Sequence, residues 1–137
     1  MHYGRLNIIV GGVAIFLGAA GGFALGFTMD PYFEKGFYAM PLTRALIKAG
    51  HTHGMPFALY NIIIGSLVDR LAMNDTWKKI CSRAAMLAFL MPIGLIARGL
   101  DNGTYRFAPI VAAGAFFFLT SIGIMIKGAV ANGTEGK

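Results

Sequence analysis

Apolar residues fill most of this chain in long runs, and short polar segments separate them. Three runs contain no charged residue, namely Leu6–Met29, Ala49–Val68 and Phe107–Ile126. Because an α-helix rises about 1.5 Å per residue, each run is long enough to cross a hydrocarbon core of about 30 Å. The pattern therefore predicts three membrane-spanning helices.

A fourth apolar run, Ala84–Ala97, is too short to span a membrane without its flanking residues. It extends to a full span if Arg83 and Arg98 reach toward the two opposite interfaces. The predicted spans are residues 6–29, 49–69, 80–100 and 107–127. Since they leave only short loops and tails, the prediction is an all-α integral membrane four-helix bundle that forms one domain, residues 1–137.

The longest predicted loop runs from Asp30 to Lys48. It is rich in aromatic and proline residues, which are typical of the headgroup level. A short amphipathic piece is predicted near its end, with apolar residues at helical spacing. The loop is either a lid packed over the mouth of the bundle or an entrance for a small hydrophobic ligand. The residues behind these predictions are Pro31, Tyr32, Phe33, Phe37, Tyr38, Pro41, Leu42, Ala45, Leu46 and Ala49.

The composition supports a membrane location and raises a question about glycine. Hydrophobic residues make up 56% of the chain and charged residues 13%, about half the usual charged share, which excludes an ordinary soluble domain. Among the 19 glycines, Gly18, Gly22 and Gly26 form one stripe on the first helix, widened by Gly11, Gly12 and Gly21. Such a stripe is typical of close helix contacts. Packing within the bundle is favoured over a subunit interface, and a homo-oligomer stays open.

The net charge of +6 has an explanation in membrane topology. Lys78, Lys79 and Arg83 crowd one short loop on the side of both termini, so the positive-inside rule predicts cytoplasmic termini in an inner membrane. Anionic lipid headgroups account for the remaining basic residues, and no nucleic-acid partner is expected. The single cysteine, Cys81, excludes an internal disulfide and a covalently attached haem.

Candidate chemistry is concentrated at the start of the second predicted helix. His51 and His53 are costly in lipid and usually have a function there, but they point about 200° apart on a helix and cannot both ligate one metal. His53 is the predicted metal ligand because Tyr60 falls within about 20° of it on the same face. Tyr60 and Asn61 are the candidate catalytic residues. The alternative for the histidines is an interfacial pair bonded to loop carbonyls or lipid phosphate, and His51 fits an outer-shell role.

The run Lys48-Ala49-Gly50-His51-Thr52-His53-Gly54-Met55-Pro56, followed by Ala58-Leu59-Tyr60-Asn61, resembles the second transmembrane helix of the styrene oxide isomerase family. The shared pattern is a basic residue, a histidine, a proline three residues later and then an asparagine. The likeness extends to Leu90-Met91-Pro92-Ile93-Gly94 and Ala108-Pro109-Ile110. In that family the histidine is an axial ligand of haem b, bound between protomers of a trimer, and the ferric iron acts as a Lewis acid on an epoxide.

Carried over by position, the resemblance implies that His53 is the haem ligand, since it stands three residues before Pro56. Asn61 would take the asparagine role, although it lies two residues later than in the family. The family also uses a tyrosine on its third helix, and the third span of this chain has none. Arg98 is instead a candidate to bind a haem propionate, because a guanidinium binds carboxylates in a bidentate manner.

Two classes of function follow from the sequence. The first is a haem-b-binding membrane protein, enzymatic or electron-transferring, with His53 as the ligand. The alternative is a non-catalytic small subunit of a larger respiratory, photosynthetic or transport complex. In that case the glycine-rich first helix would contact the larger subunits, and the histidines would serve local hydrogen bonding.

Overall fold

The computed structural model describes residues 3–33 and 41–135, and the regular structure in these two ranges is entirely helical. Two helices follow one another closely and form the third rod of the bundle, so the all-α architecture with four rods is confirmed. Short 3-10 turns occupy Val68–Arg70 and Tyr105–Phe107. The helices are α1 (Arg5–Phe33), α2 (Leu42–Leu67), α3 (Asp75–Leu87), α4 (Leu90–Leu100) and α5 (Ala108–Glu135).

Three helical stretches in the described ranges are long and apolar enough to cross a membrane. They are Arg5–Ala24, Asp75–Leu100 and Tyr105–Ala131. Helix α2 is not among them, although it is 26 residues long, because its histidines and asparagine lower its hydropathy. Since α1 and α4 both pack against it, α2 is the central helix of the bundle.

Glycines bring α1 close to α2. Gly4, Gly11 and Gly18 are seven residues apart, and a Cβ on any of them would collide with an atom of α2, which for Gly4 is the carbonyl of Gly65 near the end of that helix. A seven-residue spacing is typical of helices that wrap around each other with a left-handed twist. Gly22 of the predicted stripe also meets α2, whereas Gly26 has nothing within 4 Å.

The predicted third span, residues 80–100, is two helices and not one. Pro92 has no N–H to donate to the carbonyl of Ala88, and that oxygen accepts from Met91 N at 3.0 Å instead. Two residues earlier, Phe89 N donates to Met86 O at 3.2 Å. This shortening of the hydrogen-bond spacing ends α3 and restarts the chain as α4.

The predicted loop from Asp30 to Lys48 is wrong at both ends. Helix α1 continues to Phe33, and α2 begins at Leu42, directly after Pro41. The amphipathic piece is therefore the first two turns of α2, since two basic residues on one helix face do not interrupt the backbone hydrogen bonds. Residues 34–40, with Phe37 and Tyr38, lie outside the described residues, and the lid or entrance role of this segment stays a prediction.

The start of α1, the start of α3 and the end of α5 meet at one end of the bundle. Asp69 accepts hydrogen bonds from Tyr3 N at 3.1 Å and Gly4 N at 3.4 Å, and Lys127 lies 4.6 Å from the ring centroid of Trp77. Desolvation raises the pKa of the Tyr3 phenol, and the carboxylates of Asp75 and Asp69 raise it further. Both ends of the described chain therefore lie at the same end of the bundle, as the topology predicted from the basic residues requires.

Asp69→Ala is expected to loosen the first turn of α1. The carboxylate satisfies two amides that have no partner within the helix, and losing such a cap costs about 1 kcal/mol. Hydrogen exchange in detergent should become faster at residues 3–6. Asp101→Ala at the opposite end is the matched control and should leave those amides unchanged; equal exchange in the two variants would contradict the capping role.

Candidate functional site

The two histidines lie deep in α2 and not at its beginning. Because the helix starts at Leu42, His51 and His53 are about 14 and 17 Å from its first residue at 1.5 Å per residue. The prediction that they lie at the start of this helix is therefore wrong. The turns before them carry Arg44 and Lys48, so the two histidines follow the charged part of α2.

The His53 side chain is exposed on the outer face of α2, and its ring orientation is set by the backbone. Nδ1 lies 2.7 Å from the carbonyl oxygen of Ala49. A carbonyl can only accept, so Nδ1 carries the proton and donates, and the lone pair of the neutral ring is on Nε2. Metal-ligating histidines usually have this arrangement, with one nitrogen bonded to a carbonyl and the other directed at the metal.

His51 faces the other side of α2, as the angular spacing predicts. Its ring lies against α1 at Gly22, where a Cβ would be only 2.8 Å from Nε2 and from Cε1. The absence of a side chain on Gly22 thus gives the imidazole its place between the two helices. The two histidines therefore serve different surfaces of the same helix.

A cavity of about 710 Å³ opens beside His51, between α1, α2 and the α3–α4 rod. His51 is the single polar side chain among its lining residues, and the others are apolar or glycine. The glycines of α1 that line this cavity are the sequence signal that could have indicated it. The main lining residues are Val13, Leu17, Gly18, Gly21, Gly54, Met55, Phe89 and Ile93.

Tyr60 lies on the His53 side of α2 and is bonded within the bundle. Its hydroxyl donates to Ser121 Oγ at 2.9 Å, and Ser121 in turn donates to Cys81 O at 3.1 Å. The ring of Tyr60 meets Phe118 edge-on, with 5.2 Å between centroids. This contact positions the phenol and ties α2 to α5.

Asn61, the other candidate catalytic residue, is fully buried in a polar network. Its Oδ1 accepts from Asn7 at 2.9 Å, and its Nδ2 donates to Phe57 O at 3.0 Å and to Ala85 O at 2.9 Å. The network continues through Ser82, which donates to Asn7 Oδ1. Every polar atom of the Asn61 side chain thus has a partner within the bundle.

The roles of Asn7 and Ser82 were missed by sequence reasoning. Asn7 is a polar residue inside the charge-free run of α1, and in lipid such a residue usually bonds to another helix. A polar residue within this otherwise apolar run was therefore the sequence signal for a contact between helices. Its amide also donates to Ser82 O at 2.9 Å, so Asn7 links α1 to both α2 and α3.

Arg98 holds the turn between α4 and α5. Its Nε donates to Thr104 O at 3.0 Å and its Nη2 to Gly103 O at 3.3 Å, and the guanidinium carbon lies 5.1 Å from the Tyr105 ring centroid. The turn needs this support because Asn102 and Gly103 both have a positive φ, 51° and 80°. The predicted propionate contact stays a prediction.

Within residues 3–33 and 41–135, no three histidine, cysteine or acidic side chains come together in a group that could hold a metal ion. Comparison of the chain with protein-family models, curated proteins and solved structures finds no match in any of the three. The likeness to the styrene oxide isomerase family thus rests on the residues quoted above.

Proposed function

We propose that this chain is an integral inner-membrane protein that binds haem b through His53. The apolar length of three helical stretches supports the membrane location. So do the outward aromatic and aliphatic side chains. Phe16, Phe23 and Leu119 expose 74, 71 and 67% of their surface, which opposes solubility in water and carries no penalty in hydrocarbon.

The observation that carries the haem assignment is the hydrogen bond from His53 Nδ1 to the Ala49 carbonyl. It fixes the tautomer and the ring orientation, and it leaves Nε2 as the ligating atom on the outer face of α2. One imidazole is sufficient for a five-coordinate haem. His53 would hold the iron, and the haem would supply a Lewis-acidic or redox-active centre.

The position of His53 also supports a homo-oligomer. The side chain is exposed on a single chain, so a haem bound there needs a second protein surface to cover its other side. Tyr60 lies about two helical turns along the same face of α2. Its ring and Phe118 give that face an aromatic surface against which a flat porphyrin can pack.

The visible absorption spectrum of the purified protein tests this proposal. Wild type in dodecylmaltoside is expected to show a Soret band, and His53→Ala should lose it because the axial ligand is gone. His51→Ala is the matched control and should keep the band, since that ring faces the opposite side of α2. Imidazole added to His53→Gly should restore the band by filling the ligand position.

Two outcomes would contradict the assignment. A colourless wild-type protein that takes up no added haemin would reject haem binding altogether. Loss of the band in His51→Ala but not in His53→Ala would move the site to the cavity side of α2.

A small-subunit role is the second candidate, and the outer face of α1 favours it. Gly12 and Gly26, which lie about 40° apart around α1, have no atom within 4 Å of an added Cβ, so a helix of a larger partner could approach this face closely. Mild solubilisation from native membranes separates the two functions. A colourless chain that co-purifies stoichiometrically with larger subunits, and loses them in Gly12→Leu, would support the subunit role.

A further inference from the structure

The cavity beside His51 is large enough to be a binding site. Its volume of about 710 Å³ is within the range of about 300–1,000 Å³ that is usual for small-molecule sites. Its walls come from three different rods of the bundle, and its single polar side chain is an imidazole. This combination of an apolar wall and one polar group is typical of sites for small apolar ligands.

The space is created by particular residues. Gly18, Gly21 and Gly54 lack side chains where the walls face each other, and a Cβ on Gly21 would meet nothing within 4 Å. Pro92, which accompanies the break between α3 and α4, lies on the opposite wall. Helix α1 packs mainly on α2, so the side toward α4 stays open.

The volume decides between a small molecule and a helix as the occupant. A helix with its side chains is about 10–12 Å wide and rises 5.4 Å per turn, so one turn fills about 400–600 Å³. The cavity would hold fewer than two turns, whereas a membrane-spanning helix has more than five. A transmembrane helix from a second copy therefore cannot lie within the cavity, whereas a small molecule matches its volume.

The imidazole of His51 decides what kind of small molecule fits. None of the hydrogen bonds seen among the described residues uses this ring, and a neutral imidazole has one donor and one acceptor to offer. A polar group in an apolar wall is costly without a partner. A lipid acyl chain would fill the space but would leave the ring unsatisfied.

We infer that the cavity binds a small apolar molecule with one hydrogen-bonding group, and that His51 bonds to this group. The inference goes beyond the haem proposal, because His53 faces the other side of α2. The two proposals can fail independently, because haem binding at His53 is measured by absorbance and ligand binding beside His51 by labelling.

Photolabelling in lipid vesicles tests the inference with two matched probes. The first is 4-(3-trifluoromethyl-diazirinyl)benzyl alcohol, and the second is the phenyl diazirine without the hydroxymethyl group. Mass spectrometry of the wild type should place saturable labelling by the alcohol on cavity residues such as Leu17, Met55 and Phe89. His51→Leu should weaken this labelling about fivefold, the factor for one neutral hydrogen bond, and should not change labelling by the second probe.

Two blocking variants separate the cavity from the rest of the helix surface. Gly21→Trp should abolish saturable labelling by filling the cavity from α1, and Ile93→Trp should do the same from α4. Gly12→Trp is the control, because Gly12 is equally open but does not line the cavity. Circular dichroism and size-exclusion chromatography verify that each variant is folded and has the wild-type assembly.

Three results would overturn the inference. The first is labelling by the alcohol that does not saturate and spreads evenly over the lipid-facing residues. The second is equal labelling in Gly21→Trp and Gly12→Trp. The third is loss of a wild-type Soret band in Gly21→Trp, which would assign the cavity to haem.

Discussion

Leucine in place of Gly11 is expected to destabilise the bundle by about 3 kcal/mol, at the upper end of the usual cost of overpacking. A Cβ at this position would lie 2.6 Å from the carbonyl oxygen of Ala58 and 2.7 Å from Ile62 Cγ1. The backbone oxygen cannot move without distorting α2, so the two helices have to separate. In lipid, the attraction between them depends on close packing, and their separation removes it.

Gly12→Leu is the matched control, because a Cβ at Gly12 meets nothing within 4 Å. Both substitutions raise the helix propensity of α1 by the same amount, and the difference between them therefore reports the contact alone. Unfolding by sodium dodecyl sulfate from mixed micelles, followed by circular dichroism, gives the two free energies. If Gly11→Leu were as stable as Gly12→Leu, the close approach of α1 to α2 would be wrong.

Asn61→Leu is expected to cost about 2 kcal/mol, within the range for a buried polar group left without its partner. The group in question is the carbonyl of Ala85. Phe89 N donates to Met86 O and not to Ala85 O, so the amide of Asn61 supplies the hydrogen bond that the helix break removes. Asn61 thus caps the end of α3 from another helix.

Ser66→Ala, at an exposed residue of the same helix, is the control and should change the unfolding free energy by less than about 0.5 kcal/mol. The double variant Asn7→Leu/Asn61→Leu should cost less than the sum of the two single variants, because the two amides bond to each other. Additive costs would contradict the network. A variant that unfolds like wild type but has lost haem would instead favour a direct chemical role for Asn61.

Both predictions concern the helix that carries the histidines. The glycine contact with α1 and the asparagine contact with α3 hold α2 in one rotation about its axis. A rotation of α2 would turn His53 toward the bundle and take His51 out of the cavity wall. The packing of α2 therefore positions the two candidate sites.

Several features of the fold could be predicted because they depend on local order in the chain. Three runs without charge are long enough to span a membrane, and the structure has helices at these three runs and at the shorter fourth one. The opposite directions of His51 and His53 follow from 100° per residue, and the cavity lining agrees. By contrast, charge patterning predicts that the second span begins at Ala49, whereas α2 begins at Leu42 and includes both Arg44 and Lys48.

The polar contacts could not be predicted from local order. Asn61 and Asn7 are 54 positions apart, and nothing near either residue in the chain specifies the other as its partner. Tyr60 and Ser121 are likewise joined only by the packing of α2 and α5. From the sequence, an asparagine next to a conspicuous histidine pair is a candidate catalytic residue, and only the structure shows that its side chain also joins three helices.

The spacing of apolar residues, the scarcity of charge and the angular offset of two histidines were enough to predict a four-rod helical bundle with its polar chemistry on one helix. These properties depend only on helix geometry, which is the same wherever a helix lies. Tertiary packing decided that α2 is the central helix, that a cavity opens beside His51 and that Asn61 is fully bonded. Such features depend on which surfaces meet, and a glycine or an asparagine has the same local pattern whether its neighbour is lipid or another helix.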